Sequence, residues 1–347
     1  MENEYYDILI IGGGPAGATL ARLLPKKYHA ILIDKKEENG FQKPCGGLFS
    51  EDAQRSLAQL NITMPKDILA DPQIFSVKTI DVVTGLIRYY QRTYINLDRH
   101  KFDMWLLSLI PENVHRTRGN VRKLSKNEKG YTVELFDGRV FHAQYIVGAD
   151  GANSIVRKTL YPDKTIPSYV AIQQWFQEQH QTPFYSCIFD RKTSDCCSWS
   201  ISKDDVLIFG GAFPPQNCRE AFEKQKQRLK KYGFTFNQPL KTEACIVLRP
   251  KSYFDICTGK DGAFLIGEAA GFISPSSLEG ISFAIDSAIL LSETFAHPNH
   301  NKEKKYCRKT FRLRLKILSK IIKCPFMYQP ILRMLVMLSR FTSIDLK

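Results

Sequence analysis

Residues 7–18 are Asp-Ile-Leu-Ile-Ile-Gly-Gly-Gly-Pro-Ala-Gly-Ala, an apolar stretch typical of a buried strand that leads directly into a helix-like segment. Gly12, Gly14 and Gly17 in this stretch have the spacing Gly-x-Gly-x-x-Gly. The first glycine allows a tight turn, the second lets the backbone approach a pyrophosphate, and the third lets helix and strand pack closely. The stretch therefore predicts a dinucleotide-binding turn between a strand and a helix.

The residues after this turn complete a strand, helix and strand unit. Pro15 and Ala16 open the helix, whose N-terminus favours an anionic group. The run Ala30-Ile-Leu-Ile-Asp34 predicts a second strand that ends in an acid about 20 residues beyond the first glycine. A carboxylate there accepts hydrogen bonds from ribose hydroxyls and disfavours a 2′-phosphate, and Lys35 follows it. The alternative, a glycine-rich turn without a ligand, does not account for this order of elements.

Composition and length limit the class of protein. A chain of 347 residues can form two domains, or one with a sizeable insertion. No apolar run is long enough to span a bilayer, and the segment before the first strand is too short for a signal peptide, so we expect a cytoplasmic protein. Nine cysteines without repeating spacing favour a reducing compartment, and the pair Cys196-Cys197 lacks the second pair that a zinc site needs.

The formal net charge of +14 is concentrated near the C-terminal end of the sequence. Between Lys302 and Arg340 twelve lysines and arginines accompany one acid, Glu303, and are interleaved with aliphatic and aromatic residues. This mixture predicts a basic amphipathic helical tail suited to peripheral association with an anionic membrane surface. The alternative is a helix whose apolar face packs on the domain. Nucleic acid is not expected as a partner, because no recognition motif accompanies the charge.

Hydrophobic periodicity predicts how the rest of the chain is organised. Alternating apolar residues between Ile74 and Ile95 indicate strands of a second sheet, and Asp98 is expected to cap a helix. Asp137-Gly138 predicts a β-hairpin with a type I′ turn. The predicted organisation comprises nucleotide-binding segments 1–73, 98–166 and 251–297, substrate-domain segments 74–97 and 167–250, and a basic helical C-terminal region 298–347.

Two later segments repeat the combination of glycine and acid. Asp150 and Gly151 lie in Gly-Ala-Asp-Gly-Ala-Asn-Ser-Ile-Val-Arg, and Gly267-Glu268 follows an apolar strand. With the N-terminal motif, they resemble the ADP-binding fingerprint, the central Asp-Gly motif and the Gly-Asp motif of flavoproteins of the p-hydroxybenzoate hydroxylase fold. The resemblance extends to about Ser292. It implies an α/β fold: a Rossmann-like FAD-binding domain with an inserted antiparallel β-sheet substrate domain and a C-terminal helical tail.

Within that fold the chain is most similar to the geranylgeranyl reductase group. Pro44-Cys45-Gly46-Gly47 looks like its Pro-Cys-Gly-Gly signature, and Arg99-x-x-Phe-Asp-x-x-Leu matches a segment whose arginine lies on the cofactor phosphate side. Trp199-Ser-Ile-Ser-Lys resembles its Trp-x-Phe-Pro-Lys segment at the substrate cavity. Halogenases of the fold have a tryptophan where this chain has Cys197.

The chain departs from the group at three places. Glu268 replaces an aspartate, which keeps a carboxylate for the ribityl hydroxyls but lengthens it, and Ser202 replaces the proline of the tryptophan segment. The segment from Ser274 to Ile281 replaces a more glycine-rich loop near the flavin ring, and backbone N–H groups of its Pro275 to Ile281 turn, at a helix start, can face the ring's negative end.

The resemblance implies a function and a set of site residues. The implied reaction is reduction of an isolated carbon–carbon double bond in a prenyl or other hydrophobic substrate, by hydride from reduced flavin followed by protonation. FAD is the implied cofactor, with NADPH or another reductant as electron donor. Cys45 and Trp199 are the implied catalytic residues. The predicted cofactor-binding residues are Gly12, Gly14, Pro15, Ala16, Gly17, Asp34, Lys35, Cys45, Gly46, Gly47, Arg99, Asp150, Gly151, Gly267, Glu268, Pro275, Gly280 and Ile281.

Alternatives remain for both the function and the residues. Cys45 can be a small residue packed in a tight loop, and Trp199 an apolar wall. The same cofactor shell also serves a hydroxylating monooxygenase, and a flavin-carrying binding protein with little turnover is a third hypothesis. For a reductase we expect an apolar substrate cavity rich in Phe, Tyr and Trp.

Overall fold

The computed structural model of the protein describes residues 5–35, 43–178, 182, 184–298, 301–340 and 342–344. Its strands are β1 (Tyr5–Ile11), β2 (Ala30–Asp34), β3 (Leu48–Phe49), β4 (Ser76–Asp81), β5 (Ile87–Gln91), β6 (Ile95–Asn96), β7 (Val114–Arg118), β8 (Val121–Asn127), β9 (Gly130–Leu135), β10 (Val140–Gly148), β11 (Ser168–Gln177), β12 (Phe184–Phe189), β13 (Ser198–Lys203), β14 (Val206–Phe213), β15 (Lys241–Leu248), β16 (Gly259–Lys260), β17 (Ala263–Leu265) and β18 (Ser343–Ile344). The α-helices are α1 (Pro15–Leu23), α2 (Glu51–Ala58), α3 (Arg99–Ser108), α4 (Ile155–Leu160), α5 (Cys218–Leu229), α6 (Ile281–Ala296), α7 (Lys302–Lys309), α8 (Phe311–Tyr328) and α9 (Pro330–Leu338).

The first sheet has the strand order β16-β17-β10-β1-β2-β7, and β9 and β8 extend it beside β10. Strands β17, β10, β1, β2 and β7 are parallel. Ile8 and Ile10 face an apolar cluster with residues of α1, α2, α3 and α6, whereas Leu9 and Ile11 face a second cluster with residues of α4 and α8. The sheet is therefore covered on both faces, as the near-continuous apolar runs of its strands predict.

The second sheet has the order β15-β11-β14-β13-β12-β4-β5-β18, and all neighbours are antiparallel except β4 and β12. Helix α5 covers one face, where Phe222 and Leu229 pack with Phe209 and Phe213. The opposite face packs against the segment that precedes α6. This arrangement confirms the predicted fold class. The residue boundaries of the domains stay a prediction.

Helix α3 begins where the sequence predicts, because the Asp98 carboxylate accepts hydrogen bonds from the amides of His100 (2.8 Å) and Lys101 (3.0 Å). The turn of the β9–β10 hairpin differs from the prediction. Among the described residues near the turn only Gly138 has a positive φ (+88°), whereas a type I′ turn needs two such residues. Phe136 joins Asp137 and Gly138 in a three-residue loop, closed by the Leu135 amide donating to the Arg139 carbonyl (2.9 Å).

The C-terminal region packs on the rest of the protein. Tyr306, Leu313, Ile317, Tyr328 and Met337 are buried. The region predicted to be helical also contains a strand, because β18 pairs with β5 at the edge of the second sheet. Within the described chain no single helix is long and apolar enough to cross a membrane. Helices α8 and α9 reach that length and composition only together, and their axes bend by 86°.

Candidate functional site

The turn between β1 and α1 contains two glycines at positions where backbone atoms leave no room for a side chain. Gly12 has a φ of +105°, and a Cβ there would lie 2.5 Å from the Ala149 carbonyl oxygen. A Cβ on Gly17 would overlap the carbonyl oxygen of Gly12. Gly14 differs, because no atom lies within 4 Å of the position of its Cβ. The protein leaves open space in front of Gly14, at the point where α1 begins.

The N-cap residue of α1 has no side chain with which to cap the helix. Gly14 is the N-cap residue and makes no side-chain hydrogen bond, Pro15 is the first helical residue, and Ala16 is buried behind it. Asp34, at the end of β2, places its carboxylate against Gly13, and Lys35 follows it as an exposed residue. A helix N-terminus beside an acid is the arrangement that binds pyrophosphate and ribose.

The second motif follows β10, the strand next to β1. The Asp150 carboxylate accepts a hydrogen bond from the Ile155 amide (2.7 Å) through Oδ2, whereas its buried Oδ1 has no partner among the described residues. Burial raises the pKa of Asp150 above its ordinary value. Gly151 has a φ of +73° with open space at its Cβ position. Arg157 donates to the carbonyls of Ala269 (2.8 Å) and Ala152, so it fastens α4 to the third motif.

The third motif follows β17, the strand on the other side of β10. Gly267 has a φ of +56°, and a Cβ there would lie 2.9 Å from the Cβ of Ala16, so the first and third motifs touch. Glu268 forms an ion pair with Lys43 and accepts a hydrogen bond from the Leu248 amide (2.9 Å). Burial acts to lower the pKa of Lys43, but the interactions with Glu268 and Cys245 together raise that pKa above its ordinary value. The predicted contact of Glu268 with ribityl hydroxyls stays a prediction.

The turn from Pro275 to Ile281 precedes α6. Gly280 is the N-cap residue of this helix and makes no side-chain hydrogen bond. Glu279, which the sequence reasoning did not select, accepts hydrogen bonds from the amide (2.8 Å) and the hydroxyl (2.7 Å) of Ser282. The Ser282 N–H group, in the first turn of α6, is therefore bound to Glu279 and not open to a ligand.

These three motifs fit a dinucleotide such as FAD. They follow the carboxyl ends of the adjacent parallel strands β17, β10 and β1, which is the edge where open α/β sheets bind ligands. The space at Gly14, the uncapped start of α1 and the unpartnered Oδ1 of Asp150 are all features that a bound polar ligand would use.

The loop around Cys45 lies between the two sheets. The Cys45 thiol is 3.5 Å from the Nη1 atom of Arg99 and 3.5 Å from the Gly47 amide. Arg99 also donates through Nε to the Asp103 carboxylate (2.9 Å). A Cβ on Gly46 would lie 2.7 Å from Ile201 of β13, so the loop contacts the second sheet directly. Arg99, predicted to neutralise pyrophosphate, is bound here to Asp103 and Cys45.

Trp199 and Cys45 are joined through Gln173. The register of the second sheet sets Gln173 on β11, Gly210 on β14 and Trp199 on β13 side by side. A Cβ on Gly210 would lie 2.6 Å from the indole, so the missing side chain makes room for Trp199. Gln173 accepts a hydrogen bond from the indole N–H (3.1 Å) and donates to the Cys45 carbonyl (3.4 Å). The two predicted catalytic residues therefore share one buried partner.

A cavity of about 80 Å³ borders Cys45. Its lining is mainly polar and charged, so the expectation of an apolar cavity rich in aromatic residues is wrong for this cavity. Burial lowers the pKa of Lys203, one of its lining residues, to about 8. The Lys203 ammonium donates to the Leu97 carbonyl. The other lining residues are Lys43, Cys45, Asp98, Arg99, His100, Asp103, Trp175, Ile208 and Glu243.

Sequence reasoning missed Gln173, Lys43, Lys203 and Glu279 as site residues. Lys203 closes the tryptophan segment and Lys43 opens the Cys45 loop, so position next to a recognised motif was the available signal for both. Gln173 has no such signal, because only the strand register brings it to Trp199.

Comparison with known proteins identifies the family. The chain is 50% identical over 348 residues to Protein CbrA of Shigella flexneri serotype 5b (strain 8401), covering 98% of this chain and 95% of that protein. It is 49% identical over 348 residues to Protein CbrA of Escherichia coli O157:H7, covering 98% of each. The chain belongs to the CbrA family. The sequence model of the FAD binding domain family also matches residues 113–306 of this CbrA-family chain.

Solved structures show the same fold. A geranylgeranyl bacteriochlorophyll reductase-like protein from Thermoplasma acidophilum has a TM-score of 0.79 and 18% identity, covering 92% of this chain and 87% of that one. PqsL of P. aeruginosa, described as a probable FAD-dependent monooxygenase, has a TM-score of 0.70 and 17% identity, covering 97% and 100%. The CbrA-family chain therefore has the FAD-dependent oxidoreductase fold that its motifs predict, and both reductase-like and monooxygenase proteins share that fold.

Proposed function

We propose that this protein uses FAD to reduce carbon–carbon double bonds of a prenyl or other hydrophobic substrate, with NADPH or another donor supplying the electrons. Bound FAD would supply the two electrons that saturate the bond. Residues of the chain have to bind the substrate, exclude water and deliver a proton to carbon. The position of Cys45 carries the proposal.

In this proposal Cys45 delivers a proton to the substrate. Saturation adds two electrons and two protons across the double bond, so a reductase needs a proton donor at the reacting carbon. The Cys45 thiol borders the cavity between the sheets and is fixed by Arg99, and its carbonyl is held by Gln173. Lys203, whose pKa is about 8, borders the same cavity and can return a proton to the thiol.

The surroundings of Trp199 support a hydrophobic substrate. Trp199 packs on an apolar cluster that includes Phe189, Leu248 and Ile273. Leu278, from the turn that precedes α6, and Met327, from α8, pack on the same cluster. An apolar chain next to Cys45 would therefore find apolar contacts on the Trp199 side, while the small polar cavity lies on the Arg99 side.

Product analysis tests this proposal. The FAD-loaded protein is reduced anaerobically with NADPH, NADH or dithionite and then mixed with geranylgeraniol in detergent micelles. We expect the absorbance of oxidised flavin to return only when the lipid is present, and the product to gain two hydrogen atoms for each bond reduced. A product that gains oxygen, formed only in air, would identify a monooxygenase. Flavin that stays reduced with the lipid, together with no oxygenated product in air, would indicate a binding protein.

The role of Cys45 has its own test in the same assay. Cys45→Ala should keep the flavin spectrum and lower turnover about tenfold, which is about 1.4 kcal/mol of transition-state stabilisation. Cys45→Ser, which retains an exchangeable proton, should recover part of that loss. Cys218→Ala, on α5, is the matched control. Unchanged turnover in Cys45→Ala would return this residue to a packing role.

A further inference from the structure

Helices α8 and α9 have an apolar face that no described part of the chain covers. Four of its residues lie on α8 at spacings of four and seven, and Ile331, Leu335 and Leu338 lie on α9 at spacings of four and three, so each set forms a stripe; Val336 is exposed beside Leu335. Their exposure ranges from 41% for Leu315 to 71% for Ile331. We call this face the C-terminal apolar surface; it comprises Phe311, Leu315, Ile322, Phe326, Ile331, Leu335, Val336 and Leu338.

The opposite face of the same helices is fixed to the protein. Lys316 and Lys320 on α8 form ion pairs with Asp52 of α2 (3.1 and 3.5 Å). On α9 the buried Arg333 forms an ion pair with the buried Asp81 of β4 (3.0 Å). These contacts hold both helices along the outside of the protein. The C-terminal apolar surface therefore faces outward: one face of the two helices packs on the protein, and the other is exposed among the described residues.

Positive charge accompanies this surface. Arg312 and Lys323 are exposed on α8, and Arg340 is exposed just after α9. Although the Lys323 residue is exposed overall, neighbouring protein atoms partly desolvate its ammonium and lower its pKa, and Lys320 and Arg92 lower it further, so several cations lie close to one another here. The sequence from 304 to 340 contains no acid. An occupant of this surface should combine an apolar part with negative charge.

A second copy of the chain fits this description poorly. A symmetric dimer brings the same patch of both subunits together. Such a contact would place the cations of one copy against those of the other without an acid of α8 or α9 to neutralise them. An anionic leaflet supplies both the apolar interior and the negative head groups.

We infer that the C-terminal apolar surface docks the protein on an anionic membrane leaflet, with α8 and α9 lying in the plane of the interface. The apolar stripes enter the boundary between head groups and acyl chains, and Arg312, Lys323 and Arg340 contact the anionic head groups. This inference is independent of the proposed reaction, because it uses only the exposed faces and charges of the two helices.

Vesicle cosedimentation of the full-length, FAD-loaded protein tests the inference. We expect binding to vesicles of phosphatidylcholine with phosphatidylglycerol at low salt, weaker binding at high salt, and little binding to phosphatidylcholine alone. Ile331→Glu combined with Leu335→Glu should weaken binding at least tenfold. The control pair Phe136→Glu and Val140→Glu changes two exposed apolar residues of the β9–β10 hairpin by the same charge and should bind like wild type.

A second pair of variants tests the charges. Arg312→Gln with Lys323→Gln should reduce binding and its salt dependence more than Lys123→Gln with Lys126→Gln on β8. Flavin absorbance and melting temperature confirm that each variant is folded. Wild type that does not bind anionic vesicles at low salt would overturn the inference. So would a wild-type dimer that becomes monomeric in Ile331→Glu/Leu335→Glu, because the surface would then belong to a second copy.

Discussion

The glycine turns of the first sheet are fixed by a different kind of contact from the face of the second sheet that meets the Cys45 loop. We call this face, with Gln173, Trp199 and Lys203, the Cys45 face. In the turns, main chain meets main chain: Gly12 and Gly17 have no room for a side chain because carbonyl oxygens occupy that space. At the Cys45 face, side chains from separate strands hold one another, as Gln173 does for Trp199. Single substitutions in the glycine turns should therefore cause large losses of stability or FAD affinity, whereas substitutions in the Cys45 face should cause smaller changes in stability or turnover.

The strongest test of this contrast uses the same substitution at two glycines three residues apart. Gly17→Ala should destabilise the protein by more than about 3 kcal/mol, because its Cβ would overlap the Gly12 carbonyl. Gly14→Ala is the control, because its Cβ would meet open space. Soluble yield and urea unfolding measure both. A Gly17→Ala protein as stable as wild type would show that the turn can relax.

The next test separates cofactor binding from folding. Gly14→Val should fold but bind FAD at least about 100-fold more weakly, which is about 2.7 kcal/mol, because the side chain would fill the space at the start of α1. Reconstitution with FAD, followed by flavin absorbance, gives the affinity. The melting temperature should equal that of the wild-type apoprotein. Undiminished FAD affinity would mean that the pyrophosphate does not approach Gly14.

The pH dependence of stability tests the Cys45 face. Burial lowers the pKa of Lys203 to about 8 from 10.5, so the folded protein binds this proton less tightly than the unfolded chain. The cost of the buried charge is full below about pH 8 and falls as pH rises toward 10.5. Relative to Lys203→Met, the free energy of unfolding of wild type should rise by about 2.5 kcal/mol between about pH 7 and about pH 10. Urea unfolding of both proteins at each pH measures this difference. Free energies of unfolding that change equally with pH in the two proteins would contradict a buried charge at Lys203.

The smallest expected effect concerns Gln173. Gln173→Met removes the bridge between Trp199 and Cys45 and should lower turnover about threefold, or about 0.7 kcal/mol, with FAD affinity unchanged. Tryptophan fluorescence should shift as the indole N–H loses its partner. Gln174→Met is the matched control, because Gln174 binds Thr242 and Lys226 on the other face of β11. Equal effects of the two substitutions would indicate a general packing defect.

The sequence predicted those parts of the fold that local pattern determines. The strand ending at Asp34 and the helix cap at Asp98 both follow from short segments of the sequence. The turn at Gly138 was placed correctly but assigned the wrong type, because the two-residue signal did not show that Phe136 belongs to the loop.

The side-chain partners of the site could not be predicted in the same way. Lys43 and Glu268 are 225 residues apart in the chain. Gln173 and Gln174 are adjacent and identical, and only the pairing of β11 with β14 decides which of them reaches Trp199. The polar lining of the cavity has the same origin, since it combines residues from α3, β11, β13 and β15.

Strand β18 has a consequence for synthesis on the ribosome. Its residues pair with Tyr89 and Tyr90 of β5, and Arg333 neutralises Asp81 on the neighbouring strand. Strand β5 is translated about 250 residues before β18. Its outer edge therefore lacks β18, and the Asp81 carboxylate lacks Arg333, through most of elongation. An open strand edge can pair with another nascent chain. Stalled or truncated products of this gene should therefore require chaperone protection even when the first sheet is complete.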